Sequence, residues 1–200
     1  MTKKMPALFA KHPPKSEFNT LDDIVDDWIY RFGKGGVSEQ MRDEVEGYCA
    51  EAPDFETAAQ RACASLRPNG KKHNHQSRVP NSVLDFFFFR IRKESEMFES
   101  LQSFDELHDG LKSIAPFGIG PVTVYDVAMR LAAYLHIEPQ SLYLHAGVRV
   151  GYALLIGRRA PGLIRIPKEQ LPKALQRIPC NEVEDMLCAY REYMKPSLLR

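Results

Sequence analysis

Residues 114–123, Ile114-Ala115-Pro116-Phe117-Gly118-Ile119-Gly120-Pro121-Val122-Thr123, hold the spacing in this chain best suited to chemistry, and that chemistry is anion binding. Glycine lacks a Cβ, so Gly118 and Gly120 let the backbone turn tightly and approach another backbone closely. Pro121 suits the first position of a following helix, where its missing N–H costs nothing. The N–H groups of Gly118, Gly120, Val122 and Thr123 are then expected to point outward without helical partners, forming a site for a phosphate. The Thr123 hydroxyl adds a donor, and Lys112 and Arg130 are expected to flank the contact.

A second cluster lies in the polar break Gly70-Lys71-Lys72-His73-Asn74-His75-Gln76-Ser77-Arg78. Lys71, Lys72 and Arg78 can contact phosphates, while Asn74 and Gln76 can reach base edges. A plain exposed loop is the alternative. His73-x-His75 raises a metal question, but no third ligand stands within sequence reach, so no metal centre is expected. Farther on, Tyr143, His145 and Arg149 lie among Leu142, Leu144 and Ala146. On one helical face His145 and Arg149 can meet a phosphate, or His145 can act as an acid. The alternative is a buried, hydrogen-bonded histidine.

Charge is unevenly distributed. Residues 1–60 hold seven Lys/Arg against twelve Asp/Glu, and the remainder hold twenty against fourteen, giving the overall +1. Residues 141–180 concentrate Arg149, Arg158, Arg159, Arg165, Lys168, Lys173 and Arg177 against Glu169 alone. Such polarity fits a face presented to a polyanion; the alternative is a solvated surface whose lobes pair with each other. Four scattered cysteines without Cys-x-x-Cys spacing read as reduced, as in a cytoplasmic protein. The Lys3-Lys4 start lacks a secretory apolar region and no apolar run reaches membrane length, so no membrane partner is expected.

Helices are expected almost throughout. After a loose arm at residues 1–16, Thr20 caps a helix with Leu21, Ile24, Val25, Trp28, Ile29 and Phe32 on its apolar face. Asp22, Asp23, Asp26 and Asp27 form its solvated face, and Gly33 ends it. Ser38 and Asp54 start two more, the second running from about Phe55 to Leu66. Asn81 to Leu101 reads as a buried central helix, because the four consecutive residues Phe86 to Phe89 cannot all face one way. Ser103 caps a helix carrying Phe104, Leu107, Leu111 and Ile114, with Glu106 completing a capping box. Past the Gly-Ile-Gly turn, Val124, Val127, Ala128, Leu131 and Leu135 repeat at helical spacing. Pro139 to Ile156 reads as another helix, with Gly147 and Gly151 marking a close helix–helix approach or room for a ligand backbone. Asn181 to Met194, with Glu184 completing a capping box, is the last. Leu163 to Ile166 is the single candidate for extended chain. The expected fold is all-α, with residues 17–200 forming one helical domain, or two lobes.

The stretch from Leu111 through Gly118 and Gly120 to Val124 resembles the helix-hairpin-helix of DNA-binding proteins, and its setting is similar to the endonuclease III-like base-excision glycosylases. The resemblance covers at most Ser103 to Leu135. It implies sequence-independent DNA binding, to duplex before single strand, with Arg149, Arg158, Arg159, Lys71, Lys72 and Arg78 extending the contact. Catalysis is another matter. Where that family keeps a nucleophilic lysine after the second hairpin glycine, this chain has Val122, and the family's aspartate is absent. Glycosidic cleavage needs a carboxylate; Glu138 and, less well, Asp126 stand near the hairpin, with His145 as a further acid–base candidate. The four-cysteine cluster spacing of some members is also missing, and no cofactor is expected. A non-catalytic DNA-binding role is thus the leading expectation. The alternatives are a diverged monofunctional glycosylase-like enzyme and a protein-interaction module.

Overall fold

The computed structural model describes residues 17–32, 46–65, 72, 76, 78–160, 162 and 165–199. The expectations for the arm at 1–16, Gly33, Ser38, Lys71, His73, Asn74 and His75 lie outside these residues. The chain divides into two compact units, one made of Met1–Ser38 with Gln140–Arg200 and the other of Glu39–Pro139. Among the described residues, no helix is long and apolar enough to cross a membrane.

The first unit contains α1 (Leu21–Phe32), β1 (Ser141–Tyr143), α7 (Ala146–Ile156), β2 (Arg165–Pro167) and α8 (Cys180–Ala189). Thr20 Oγ1 accepts the Asp23 N–H at 3.1 Å, and the Asp23 carboxylate accepts the Thr20 N–H at 2.8 Å. This reciprocal pair satisfies donors that α1 would otherwise leave open at its start. Leu21, Ile24, Val25, Trp28 and Phe32 enter a core shared with Leu142, Val148, Leu155, Leu187 and Tyr190.

The expected division of α1 faces is wrong at two positions. Asp27 is 6% exposed, whereas Ile29 is 40% exposed. Asp27 is buried because the Tyr190 hydroxyl donates to Oδ2 at 2.6 Å and Arg31 Nε donates to the same oxygen at 2.8 Å. Burying a carboxylate is tolerated when it is paired and hydrogen-bonded in this way. Asp22 and Asp26 remain exposed and together hold the Arg177 guanidinium, at 2.7 and 2.6 Å.

The expected helix over Pro139 to Ile156 divides. Ser141, Leu142 and Tyr143 pair antiparallel with Pro167, Ile166 and Arg165 in a two-stranded ladder, and α7 begins only at Ala146. Gly151 lies against α8 so closely that a Cβ there would collide with the Leu187 carbonyl, and a Cβ on Gly147 would meet Cys188 Sγ at 2.8 Å. The close approach expected of these two glycines is present. α8 starts after Pro179 with no side-chain cap, and Glu184 pairs elsewhere instead of closing a capping box.

The second unit contains α2 (Phe55–Ala64), α3 (Asn81–Lys93), α4 (Ser95–Glu99), α5 (Phe104–Ile114) and α6 (Pro121–Leu135), with residues 46–50 helical ahead of α2. Asp54 caps α2 by accepting the Thr57 N–H at 2.7 Å, and Ser65 closes it in the left-handed conformation. Ser103 caps α5, accepting the Glu106 N–H at 3.2 Å and donating its hydroxyl to Glu106 Oε2 at 2.8 Å. Phe55, Phe87, Ile91, Phe98, Phe104, Leu107, Leu111, Val127 and Leu131 are buried in this unit. Each such side chain contributes about 1.5–3 kcal/mol relative to exposure.

The expected continuous central helix, packed on several sides, is corrected. It breaks at Glu94 into α3 and the short α4. Leu84, Phe87 and Ile91 form its buried stripe, while Phe86 and Phe89 are 48% and 47% exposed.

Candidate nucleic-acid interface

The corner between α5 and α6 is built by local rules. Ile119 donates its N–H to the Pro116 carbonyl at 3.1 Å, closing a four-residue turn in which Gly118 occupies the third position with φ +97°. A positive φ there is the mark of a type II turn and favours glycine. Gly118 also lies against α3, since a Cβ on it would stand 3.4 Å from Val83 Cγ1.

Gly120 differs. It precedes α6 with φ −87° and ψ 170°, a conformation open to any residue, and a Cβ on it would meet nothing within 4 Å. The turn therefore requires glycine at 118 and does not require it at 120. Its carbonyl accepts the Val124 N–H at 3.0 Å, starting the helical ladder. Among the described residues, none accepts from the N–H groups of Gly118, Gly120, Val122 or Thr123. Gly118 and Gly120 are exposed and Val122 is half-buried. Open donors at the positive end of α6 thus sit on exposed Gly118 and Gly120 and on half-buried Val122. Phe117, between Pro116 and Gly118, is fully exposed, and Lys112 is exposed on the last turn of α5.

Two expected members of this site are elsewhere. Thr123 is buried, which removes its hydroxyl from the expected contact. Arg130 is 4% exposed. Its guanidinium donates to the Ala62 carbonyl at 2.9 Å and to Gln76 Oε1 at 3.2 Å. Gln76 in turn accepts the Ser65 hydroxyl at 2.7 Å and donates to the Asp126 carboxylate. Burial pulls the Arg130 guanidinium below its ordinary pKa, and Asp126 opposes that shift. Arg130 and Asp126 therefore hold the second unit's interior together. The helical spacing of Val127, Ala128 and Leu131 gave no sign that Arg130 faces inward.

Lys72 donates to the Val79 carbonyl at 3.2 Å and to Asn81 Oδ1 at 2.8 Å, at the start of α3, and Arg78 is exposed nearby in the chain. In the first unit, Arg149, Arg158 and Arg159 line one open groove of about 910 Å³ with Val150 and Leu154. Glu138 is exposed after α6. His145 is not inside a helix beside Arg149, because it is the residue ahead of α7, with φ −96° and ψ 168°. Its Nε2 lies 3.0 Å from Glu184 Oε1, a close approach between the residue ahead of α7 and α8.

The sequence reading missed a set of four residues on α3. Phe86 and Phe89 lie 15° from parallel with ring centroids 6.5 Å apart. Arg90 Cζ stands 5.0 Å from the Phe86 centroid and Lys93 Nζ 4.9 Å from that of Phe89. Each cation is four residues beyond its ring, a spacing visible in Asp85-Phe-Phe-Phe-Phe-Arg90-Ile-Arg92-Lys93. No family model, curated protein or solved structure matches this chain.

Proposed function

We propose that this protein binds DNA independently of sequence, gripping the sugar–phosphate backbone at the α5–α6 corner. The supporting observation is the group of open donors there, from Gly118, Gly120 and Val122, at the positive end of a fifteen-residue helix. Such donors bind phosphate oxygens without reading bases. Gly120 adds a second support, since its missing side chain serves no conformational need and a Cβ there would stand in open space. Lys112, exposed on the last turn of α5, adds a positive charge on the element that leads into the corner. The resemblance of the segment to a helix-hairpin-helix agrees with this reading. The role is a binding one, without a catalytic step assigned to Glu138 or His145.

The test is the affinity of the full chain for a labelled oligonucleotide across a salt series. A grip on one or two phosphates gives a log–log slope of roughly −1 to −2. Affinity that is absent at low salt removes the proposal and leaves the corner as a packing device.

A further inference from the structure

The face of α3 carrying Phe86 and Phe89 has features that the backbone grip does not use. Two large rings, each about half exposed, stand nearly parallel on one helix face. An exposed phenyl pair has no structural need on an α3 whose buried stripe is already filled by Leu84, Phe87 and Ile91. Cations are placed within 5.0 Å of both ring centroids. Arg92 is held by Glu56 at 3.0 Å, and Asp85 and Glu94 are the acidic neighbours in sequence, while Arg90 and Lys93 are the cations that stand over the rings.

The same face is tied to the corner. Arg90 Nη1 donates to the Ile114 carbonyl at 2.9 Å, and Val83 on α3 packs beside Gly118. The open amides and the aromatic–cation face thus belong to one rigid part of the second unit.

Bases have flat faces that stack on aromatic rings, and each is joined to a phosphate that a nearby cation attracts. A paired duplex keeps its base faces buried in its own stack, whereas an unpaired strand can offer them. An aliphatic protein surface would have to strip water from Arg90 and Lys93 to cover the rings, with no charge to offer in return. We infer that the Phe86–Phe89 face is a stacking platform for unpaired bases of a single-stranded nucleic acid whose backbone the α5–α6 corner holds. This rests on the proposed backbone grip and names the form of strand it takes. It departs from the duplex preference that the sequence reading expected.

The experiment compares a labelled twelve-nucleotide thymidine strand with an abasic strand of the same length. It uses the full wild-type chain, F86L/F89L and G120V, each checked by circular dichroism. Leucine keeps an apolar side chain but removes the flat ring, so simple apolar docking survives in F86L/F89L and stacking does not. The wild type is expected to bind the thymidine strand at least about tenfold more tightly than the abasic one. F86L/F89L is expected to lose that difference, and G120V to weaken both strands. Equal affinity of the wild type for the two strands, or a difference that persists in F86L/F89L, overturns the platform while leaving the grip. Failure of the wild type to bind either strand removes both. A wild-type dimer in sedimentation that F86L/F89L dissociates, without any base-dependent affinity, would make the face a protein interface and overturn the inference.

Discussion

Arg90 on α3 donates from Nη1 to the carbonyl of Ile114, the last residue of α5, at 2.9 Å. A helix C-terminus leaves carbonyls without intrahelical partners, and a cation there both fills one and meets the negative end of the dipole. This bond fixes the end of α5, from which the Gly118 turn departs. Arg90→Met is expected to lower stability by about 1–3 kcal/mol, the range for a lost charged hydrogen bond. It should also reduce nucleic-acid affinity, as read by denaturant melts and anisotropy on one preparation. Unchanged affinity would separate α3 from the corner functionally.

Arg130 gives the opposite expectation. Its guanidinium donates to the Ala62 carbonyl and Gln76 Oε1 and feels the charge of Asp126, so removing it leaves two acceptors without that donor and the carboxylate without its opposing charge. Arg130→Met is expected to destabilise the protein by about 3–5 kcal/mol. The salt dependence of binding by the folded fraction should stay as in wild type. A shallower slope would return Arg130 to the interface.

Gly151 tests the packing of the first unit. A methyl group there meets the Leu187 backbone, which cannot yield as a flexible side chain would. Gly151→Ala is expected to cost about 1–3 kcal/mol in a urea melt, despite the better helix propensity of alanine. A stabilised variant would mean that α7 and α8 pack less closely than described.

Cysteine chemistry sets a pH dependence. Burial pushes the Cys49 thiol from its ordinary 9.0 up to about 11. The folded state therefore favours the protonated thiol. Its contribution is whole below pH 9, and it is lost as pH rises through about 11. The melting temperature is expected to fall across that interval. Cys49→Ala should flatten the Cys49 part of the fall. Thiol-specific reagents at pH 8 should label Cys49 slowly until denaturant is added; rapid labelling of folded protein would contradict the burial.

Much of the helical framework was legible from local rules. Thr20, Asp54 and Ser103 start their helices, and Pro121 opens α6, because capping depends on residues three or four apart. What escaped the sequence was set by distant partners. Asp27 and Ile29 exchanged their expected exposures because the Tyr190 hydroxyl, 163 residues away, supplies a buried partner for the carboxylate. Ser141-Leu142-Tyr143 reads as the start of an apolar helix, since three residues carry no usable period, and only pairing with 165–167 makes them a strand. Arg130 looked like a surface cation because its acceptors lie on α2 and at Gln76.

The candidate site was legible in its turn and not in its surroundings. Gly118 was recognisable because the left-handed conformation selects glycine, and the open amides follow from Pro121 beginning a helix. The Phe run was read as interior, since four adjacent aromatics cannot share one face. The structure instead buries Phe87, half-buries Phe88 and turns Phe86 and Phe89 outward under Arg90 and Lys93.

The backbone grip stands or falls most directly on Gly120→Val. A side chain at position 120 meets nothing within 4 Å and needs no unusual φ, so the variant is expected to fold as wild type, with a stability loss of about 1 kcal/mol or less. The valine would nevertheless add bulk at the start of α6, next in the chain to the open Gly120 and Val122 amides. Binding of a labelled oligonucleotide at low salt, beside a circular dichroism melt, is the measurement. A working backbone grip gives at least a tenfold loss of affinity and a shallower salt slope in a protein that melts normally. Wild-type affinity in that folded variant would contradict it.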